Sequence, residues 1–276
     1  MERRVVLTVV LVVVMSLSGC SALPIWDGGD ASPESGTATS SPTPTPTPDV
    51  PEANPEGEPG DGPDVAYPDG YGPNGVEAAD TAISNHIGTL QSYDNYIFSY
   101  DSLIQADDSQ TSFSYQQLVD QENEVAYIIQ DTSQGAIVSY YEDQTVYIRD
   151  ETGDETRYNS TDTQYNMGDF TGFQFVGPLL AHVEYGDAEV LESDSGTFYR
   201  YVSENVTNPD AILRSDVDES RIDAFNVSIV VDEDGAVRQA VFVVKADRDI
   251  TVTMGVSEIN STNIDRPEWY EQAANS

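Results

Sequence analysis

The sequence predicts an α+β domain built on an antiparallel sheet of about eleven strands. Most of the chain after residue 75 alternates apolar and polar residues with a period of two, which is typical of half-buried strands. Short separators rich in Gly, Asp, Asn and Ser divide these segments, as in a meander of hairpins. One segment with a helical period comes first, and a second helical segment follows the sixth strand. We therefore expect one domain over residues 76–274.

The first 19 residues have the organisation of an export signal. Arg3 and Arg4 are followed by an apolar run that ends at Leu17. A transmembrane helix needs about 20 apolar residues, and this run is shorter. The arginine pair fits either a twin-arginine signal or an ordinary basic start, so the export route stays open. The stretch "LSGC", which ends at Cys20, resembles the lipobox of lipoproteins. That resemblance implies a diacylglyceryl group on Cys20 and attachment to the extracytoplasmic face of the cell membrane, where two acyl chains anchor stably.

Residues 20–75 are predicted to form a disordered tether. They are rich in Gly, Pro, Thr, Asp and Glu, and the stretch from Pro42 to Pro48 reads "PTPTPTP". Such a segment buries too little apolar surface to offset the entropy lost on ordering. We expect a partly polyproline-II spacer between the anchor and the domain.

The elements of the domain follow in order. Ala79, Ile83, Ile87 and Leu90 recur at i, i+4, i+8 and i+11, which predicts a leading helix. Strands are predicted at 95–103, 111–119, 124–131, 136–142, 145–150, 155–160, 187–193, 196–203, 225–231, 237–245 and 250–258. A short helical insertion is predicted near residues 177–183, with Pro178 in its first turn, and further helical turns at 208–214 and 267–272.

The charge of the chain is strongly negative. It holds 49 acidic and 11 basic residues, for a formal net charge of −38, and Lys245 is its only lysine. Binding to nucleic acid or to an anionic surface is therefore not expected. An acidic surface almost without lysine resembles the proteins of extremely halophilic archaea, in which concentrated salt screens the repulsion.

No pattern in the sequence predicts catalysis, a cofactor or a metal site. His86 and His182 are the only histidines, no Gly-x-Ser-x-Gly turn is present, and both histidines are interpreted as structural or surface residues. The acidic stretches 216–219 and 232–235 lack the ligand spacing of an EF-hand loop, and the second reads as a hairpin turn. A single cysteine excludes an intramolecular disulfide. We expect a protein that is not an enzyme.

Four Asn-x-Ser/Thr sequons give possible N-glycosylation sites in an exported protein. They begin at Asn159, Asn205, Asn226 and Asn260.

The element order, with the line "QTVYIRDETGDETRYN" from Gln144 to Asn159, resembles the LolA-like family of lipoprotein carriers and the related LppX/LprG lipoproteins. The whole layout is also similar to haloarchaeal lipoproteins. The resemblance implies a strongly curved antiparallel β-sheet, an incomplete barrel, covered by the leading helix and the short helical insertion. In that family the hollow face of the sheet holds lipid chains beneath the helices.

The aromatic stripe on the predicted strands permits two interpretations. Its residues form either an ordinary core or the lining of a ligand cavity. The candidate lining residues are Tyr96, Phe98, Tyr100, Phe113, Tyr115 and Tyr127. The leading hypothesis is a lipid-anchored extracytoplasmic binding or carrier module for a hydrophobic, lipid-like ligand. The alternative is a non-enzymatic structural or interaction lipoprotein of the archaeal cell surface that binds other envelope proteins.

Overall fold

The computed structural model describes residues 65–106, 109–213, 217 and 219–276. The predicted export signal, Cys20 and most of the predicted tether lie outside these residues. Within the described part of the chain, no helix combines the length and the apolar character needed to cross a membrane.

The described residues form one large antiparallel sheet, a two-residue ladder and a few short helices. The strands are β1 (Tyr71–Gly72), β2 (Gly75–Val76), β3 (Asn95–Ala106), β4 (Ser109–Asp120), β5 (Val125–Thr132), β6 (Gly135–Glu142), β7 (Thr145–Asp150), β8 (Arg157–Asp162), β9 (Glu189–Ser193), β10 (Gly196–Ser203), β11 (Ala224–Asp232), β12 (Val237–Lys245) and β13 (Asp249–Ser257). The α-helices are α1 (Ala79–Ser92), α2 (Phe173–His182), α3 (Pro209–Leu213) and α4 (Tyr270–Ala274), and 3-10 turns span Met167–Phe170 and Glu219–Arg221.

The large sheet has eleven strands in the order β8-β7-β6-β5-β4-β3-β13-β12-β11-β10-β9. All its neighbouring strands are antiparallel, and β8 and β9 form its two edges, so the sheet stays open in the described residues. The α+β prediction, an incompletely closed antiparallel sheet with about eleven strands and a few helices, is confirmed.

The ordered domain begins earlier than predicted. Residues 65–75, which the sequence placed in the tether, are bound to β10. The Tyr71 ring lies 5.9 Å from the Tyr201 ring, the Tyr201 hydroxyl donates to the carbonyl oxygen of Gly72 at 3.2 Å, and the Tyr199 hydroxyl donates to that of Ala66 at 2.6 Å. Because Tyr71 buries its ring here, this part of the Pro- and Gly-rich stretch is ordered.

The leading helix and the eleven strands of the large sheet lie where the sequence placed them, whereas β1 and β2 were not predicted and α2 is longer than predicted. It begins at Phe173, so Pro178 lies in its interior and not in its first turn. A proline there removes one helical hydrogen bond. Val176, Leu179 and Leu180 are buried, and their burial offsets that loss.

One face of the sheet, here called the inner face, lies against α1, the 3-10 turn Met167–Phe170 and α2. The Tyr96 hydroxyl donates to the Phe170 carbonyl at 3.3 Å, and the Phe175 ring of α2 stacks on Phe98 at 5.8 Å. The opposite, outer face of β5–β8 carries a second apolar cluster around Tyr140 and Trp269, which α4 covers. The inner face therefore holds the main core, and it is the place where the aromatic stripe has to be assessed.

Candidate functional site

Strands β3 and β4 place their inner-face side chains in four successive rows. Because side chains alternate between faces, every second residue of each strand points inward. The rows pair Tyr96 with Val119, Phe98 with Gln117, Tyr100 with Tyr115, and Ser102 with Phe113.

Burial decreases along these rows. The four side chains of the first two rows are all 0% exposed. In the third row Tyr115 is 7% exposed and Tyr100 is half-buried, and in the fourth row Ser102 and Phe113 are half-buried. The inner face is therefore covered at one end and becomes accessible towards the other.

A group of four aromatic rings stands where the inner face becomes accessible. The Phe175 ring of α2 lies 4.4 Å from the Tyr100 ring and 5.3 Å from the Tyr115 ring, and Tyr100 lies 6.0 Å from Phe113. We call Tyr100, Phe113, Tyr115 and Phe175 the aromatic mouth. Offset and tilted rings at these distances attract one another and present a broad apolar surface.

The start of α2 fixes the position of Phe175. Gly172 precedes the helix with φ at +67°, a left-handed conformation that favours glycine. A Cβ atom at this position would lie 2.4 Å from the Phe98 ring. The missing side chain therefore lets the helix start directly against the sheet, which sets Phe175 over the third row.

Gln117 lies one row deeper than the mouth. It is 0% exposed, and neither atom of its amide group has a hydrogen-bond partner among the described residues. Its cross-strand neighbours are apolar, Phe98 on β3 and Ile128 on β5. A buried amide without partners costs free energy in the folded state, so its presence requires an explanation.

The hydroxyl of Tyr115 interacts with the amide groups of Gln117 and Gln174. Burial raises the pKa of Tyr115 well above its ordinary value, and the amides of Gln117 and Gln174 partly offset that rise. The phenol is therefore neutral at any physiological pH. Gln117 is close enough to influence this hydroxyl but does not form a well-aligned hydrogen bond with it.

The structure separates the six predicted lining residues into three groups. Tyr96 and Phe98 are fully buried core residues, whereas Tyr100, Phe113 and Tyr115 form most of the mouth. Tyr127 does not belong to the site. It pairs with Leu118 of β4 and lies on the outer face, where its ring is 6.5 Å from that of Tyr140.

Two residues of the site were not predicted. Phe175 lies in the first turn of α2, which begins four residues before the predicted helix. Gln117 sits in the polar pair Gln116-Gln117, and only the register of β4 shows which of the two points inward. The sequence does contain one signal for Gln117, because it alternates with Tyr115 and Val119 and so lies on the same face of the strand.

The charge around the site is limited in kind. Among the described residues, the inner-face positions of β3–β7 include Asp150 but no Lys or Arg, and α1 and α2 contain neither cation. Within these elements the arrangement therefore offers aromatic surface and amide groups but no Lys or Arg, and the inner-face Arg157 of β8 lies opposite Asp150 at the edge of the sheet.

His86 is a structural residue, as predicted. Its ring is 0% exposed, and both ring nitrogens contact backbone groups, those of Thr171 and Val237. Burial is the main cause that lowers the pKa of His86 from 6.5 to about 4. A neutral ring with both nitrogens occupied is not placed to act as a general base.

The sequons differ in accessibility. Asn205, Asn226 and Asn260 are exposed, whereas Asn159 is half-buried on the inner face of β8. The side-chain oxygen of Asn260 accepts a hydrogen bond from the Asp94 amide at 2.8 Å, and the Asn205 amide donates to Glu184. Three of the four sites are thus sterically open to a glycan.

The described residues contain no group of His, Cys, Asp and Glu suited to holding a metal ion. The stretch 232–235 forms the predicted hairpin turn. The Asp232 carboxylate accepts hydrogen bonds from the amides of Asp234 and Ala236 at 3.2 and 2.8 Å. Two acidic residues of the other stretch, Asp216 and Asp218, lie outside the described residues.

No family model matches the sequence, and a search of curated proteins finds no match. Solved structures do resemble the fold. The lipoprotein LppX of Mycobacterium tuberculosis is 8% identical over 68% of this chain and 98% of its own, with a TM-score of 0.37. LprF of Mycobacterium bovis is 8% identical over 71% of this chain and 99% of its own, with a TM-score of 0.32.

A LolA superfamily protein of Nitrosomonas europaea is 10% identical over 70% of this chain and 96% of its own, with a TM-score of 0.26. The first of these proteins is described as a lipoprotein and the third as a LolA superfamily protein. Identities and TM-scores this low carry no argument about function, which therefore rests on the site itself.

Proposed function

We propose that this domain binds a hydrophobic ligand between α2 and the inner face of the sheet, with the aromatic mouth as its entrance. The decrease in burial from the Tyr96 row to the Phe113 row carries this proposal. A core covered at both ends would bury the third and fourth rows as well, whereas these rows lead from a covered interior to an accessible aromatic surface.

The chemistry of the mouth suits an alkyl or isoprenoid chain. Rings supply large apolar contact areas with few rotatable bonds, and a tyrosine tolerates a half-wet position because its hydroxyl can contact water. The Phe175 ring contacts the rings of Tyr100, Tyr115 and Phe98. The hydrocarbon chain of an entering ligand therefore has to displace only the Phe175 ring. We infer that α2 acts as the lid of the site.

The proposal includes where the protein works. We infer that Cys20 carries the lipid anchor, that residues up to about 64 form the tether, and that the domain stands on the extracytoplasmic face of the cell membrane. Exposed sequons at Asn205, Asn226 and Asn260 would then be available to glycosylation. The role is non-enzymatic, a binding or carrier protein for a lipid-like ligand.

A dye-displacement assay on the full chain tests the binding site. Nile red binding is measured in molar KCl for the wild type, Phe113→Ala and Tyr127→Ala. Both substitutions truncate a half-buried aromatic side chain of the same sheet, but only Phe113 lies at the mouth. We expect Phe113→Ala to weaken binding about tenfold, roughly the worth of one lost aromatic contact, and Tyr127→Ala to leave the affinity unchanged.

Equal effects of the two substitutions would contradict the proposed site. Protein extracted from its membrane at high salt should also carry lipid, which native mass spectrometry detects. A wild type that binds neither dye nor lipid would instead favour the interaction protein of the cell envelope.

A further inference from the structure

The partnerless amide of Gln117 is the feature that a purely apolar binding site does not explain. Its row contains Phe98 and Ile128 on either side and, one strand further, Ser139, all of them buried. A leucine would fill this position without any unsatisfied polar atom. The Tyr115 hydroxyl interacts with this amide but forms no well-aligned hydrogen bond with either of its atoms. A carboxamide without such a bond costs about 1–3 kcal/mol in the interior, so a packing role alone does not account for it.

The position of the amide links it to the mouth. Gln117 and Tyr115 are neighbours on the same face of β4, two residues apart, and Tyr115 forms the inner side of the mouth. A hydrocarbon ligand that passes Phe175 and moves along the inner face towards the covered rows meets Tyr115 first and Gln117 next. The amide therefore lies where the leading end of such a ligand would stop.

We propose that Gln117 recognises an uncharged hydroxyl group at the buried end of the ligand, so that the ligand class is the neutral long-chain alcohol. This inference rests on the proposed function, since it names the ligand class of the same site. The two unpaired atoms of the amide are a donor and an acceptor. A hydroxyl group pairs with both at once, because it donates one hydrogen bond and accepts another.

The surrounding charges separate this class from fatty acids. A carboxylate buried at this depth needs a cation or several donors to offset its desolvation. The inner-face positions of β3–β7 supply no Lys or Arg, and the carboxamide oxygen would face the anion with its own negative partial charge. A neutral hydroxyl loses much less solvation free energy on entry, so the site favours the alcohol.

Displacement of Nile red by three ten-carbon probes tests the inference on the full chain. The probes are 1-decanol, decane and decanoate, at pH 8 in molar KCl, and the variants are Gln117→Leu and the matched control Gln116→Leu on the outer face. In the wild type we expect 1-decanol to bind about tenfold more tightly than decane, the worth of a buried hydrogen-bonded pair, and decanoate to bind more weakly than 1-decanol. Gln117→Leu leaves the hydroxyl of 1-decanol without a partner, so we expect the ratio of alcohol to alkane affinity to fall below one, and Gln116→Leu should leave it at about ten.

Thermal unfolding of the ligand-free protein gives an independent readout. Gln117→Leu removes an unpaired amide, so we expect this variant to unfold at a higher temperature than the wild type. A structural role for Gln117 predicts the reverse. If Gln117→Leu and the more adaptable Gln117→Met both fail to fold, the amide is structural and the inference is overturned.

The failure of this inference can be distinguished from failure of the proposed function. A wild type that binds the dye and all three probes with equal affinity contradicts the role of Gln117 but retains a hydrophobic site. A wild type that binds no dye and no probe contradicts both.

Discussion

The imidazole of His86 on α1 accepts a hydrogen bond at Nδ1 from the backbone amide of Val237 on β12, at 3.1 Å. Because a backbone N–H can only donate, Nδ1 carries no proton, and the neutral ring therefore donates through Nε2 to the carbonyl oxygen of Thr171, also at 3.1 Å. A single buried ring thus joins the leading helix, the sheet and the residues that precede α2. Protonation at Nδ1 would break the first of these bonds.

The pKa of His86 predicts a loss of stability in mild acid. Burial lowers this pKa from 6.5 to about 4, so between pH 6.5 and pH 4 the ring is protonated in the unfolded chain but neutral in the folded chain. The contribution of the neutral ring to the unfolding free energy is complete above pH 6.5 and is lost as the pH falls towards 4. We expect the wild type to lose about 3 kcal/mol more unfolding free energy between pH 7 and pH 4 than His86→Gln, measured by denaturant unfolding. Parallel pH profiles for the two proteins would contradict this role of His86.

A pair of glycine substitutions tests how α2 is positioned. Gly172→Ala places a methyl group against the Phe98 ring in a left-handed backbone conformation, and we expect it to lower the unfolding free energy by about 2 kcal/mol or more. Gly88→Ala is the control, because Gly88 is exposed within α1 and a Cβ atom there meets nothing within 4 Å. That change should stabilise the protein by about 0.5–1 kcal/mol. Chemical denaturation measures both, and a harmless Gly172→Ala would show that α2 can shift away from the sheet.

Trp269, which directly precedes α4, should contribute strongly to stability. This residue is 6% exposed on the outer face, Arg149 lies 5.7 Å from its ring, and the nearby Tyr270 hydroxyl lies 2.9 Å from that of Tyr147. We expect Trp269→Ala to cost about 3 kcal/mol of unfolding free energy. The exposed neighbour Glu271 is the control, and Glu271→Ala should change the unfolding free energy by less than about 0.5 kcal/mol. Thermal unfolding midpoints that agree for the two variants would contradict a packed α4.

Salt should stabilise the folded protein. The formal net charge of −38 makes the compact state repel itself, and raising KCl from about 0.1 M to about 1 M shortens the screening length from about 10 Å to about 3 Å. We expect the midpoint of thermal unfolding to rise steadily over this range. A midpoint that does not depend on KCl would show that the acidic residues are already spaced widely enough to be independent.

The strands could be predicted from the sequence because the alternation of Tyr96, Phe98 and Tyr100 with polar residues is local information. The face on which a side chain lies depends on register between strands, which no local pattern specifies. Tyr127 illustrates this, since it is as aromatic as Tyr115 but pairs with Leu118 and so points to the outer face. The part of the site contributed by α2 could not be predicted for a similar reason. Pro178 is typical of the first turn of a helix, but packing against the sheet stabilises a helix that begins at Phe173.

The pairing of β3 with β13 at the centre of the sheet has a consequence for how the protein folds. Tyr100 faces Met254 across this ladder, so the two paired strands are separated along the sequence by more than half of the chain. The pairings on either side of the ladder join consecutive strands. Each flank can therefore assemble from local hairpins, but the two flanks can combine only after the last strand is available. Closing so long a loop is slow, which makes the central ladder the expected kinetic bottleneck of folding. A newly synthesised chain would then pass through an interval in which two half-sheets exist before β13 pairs with β3.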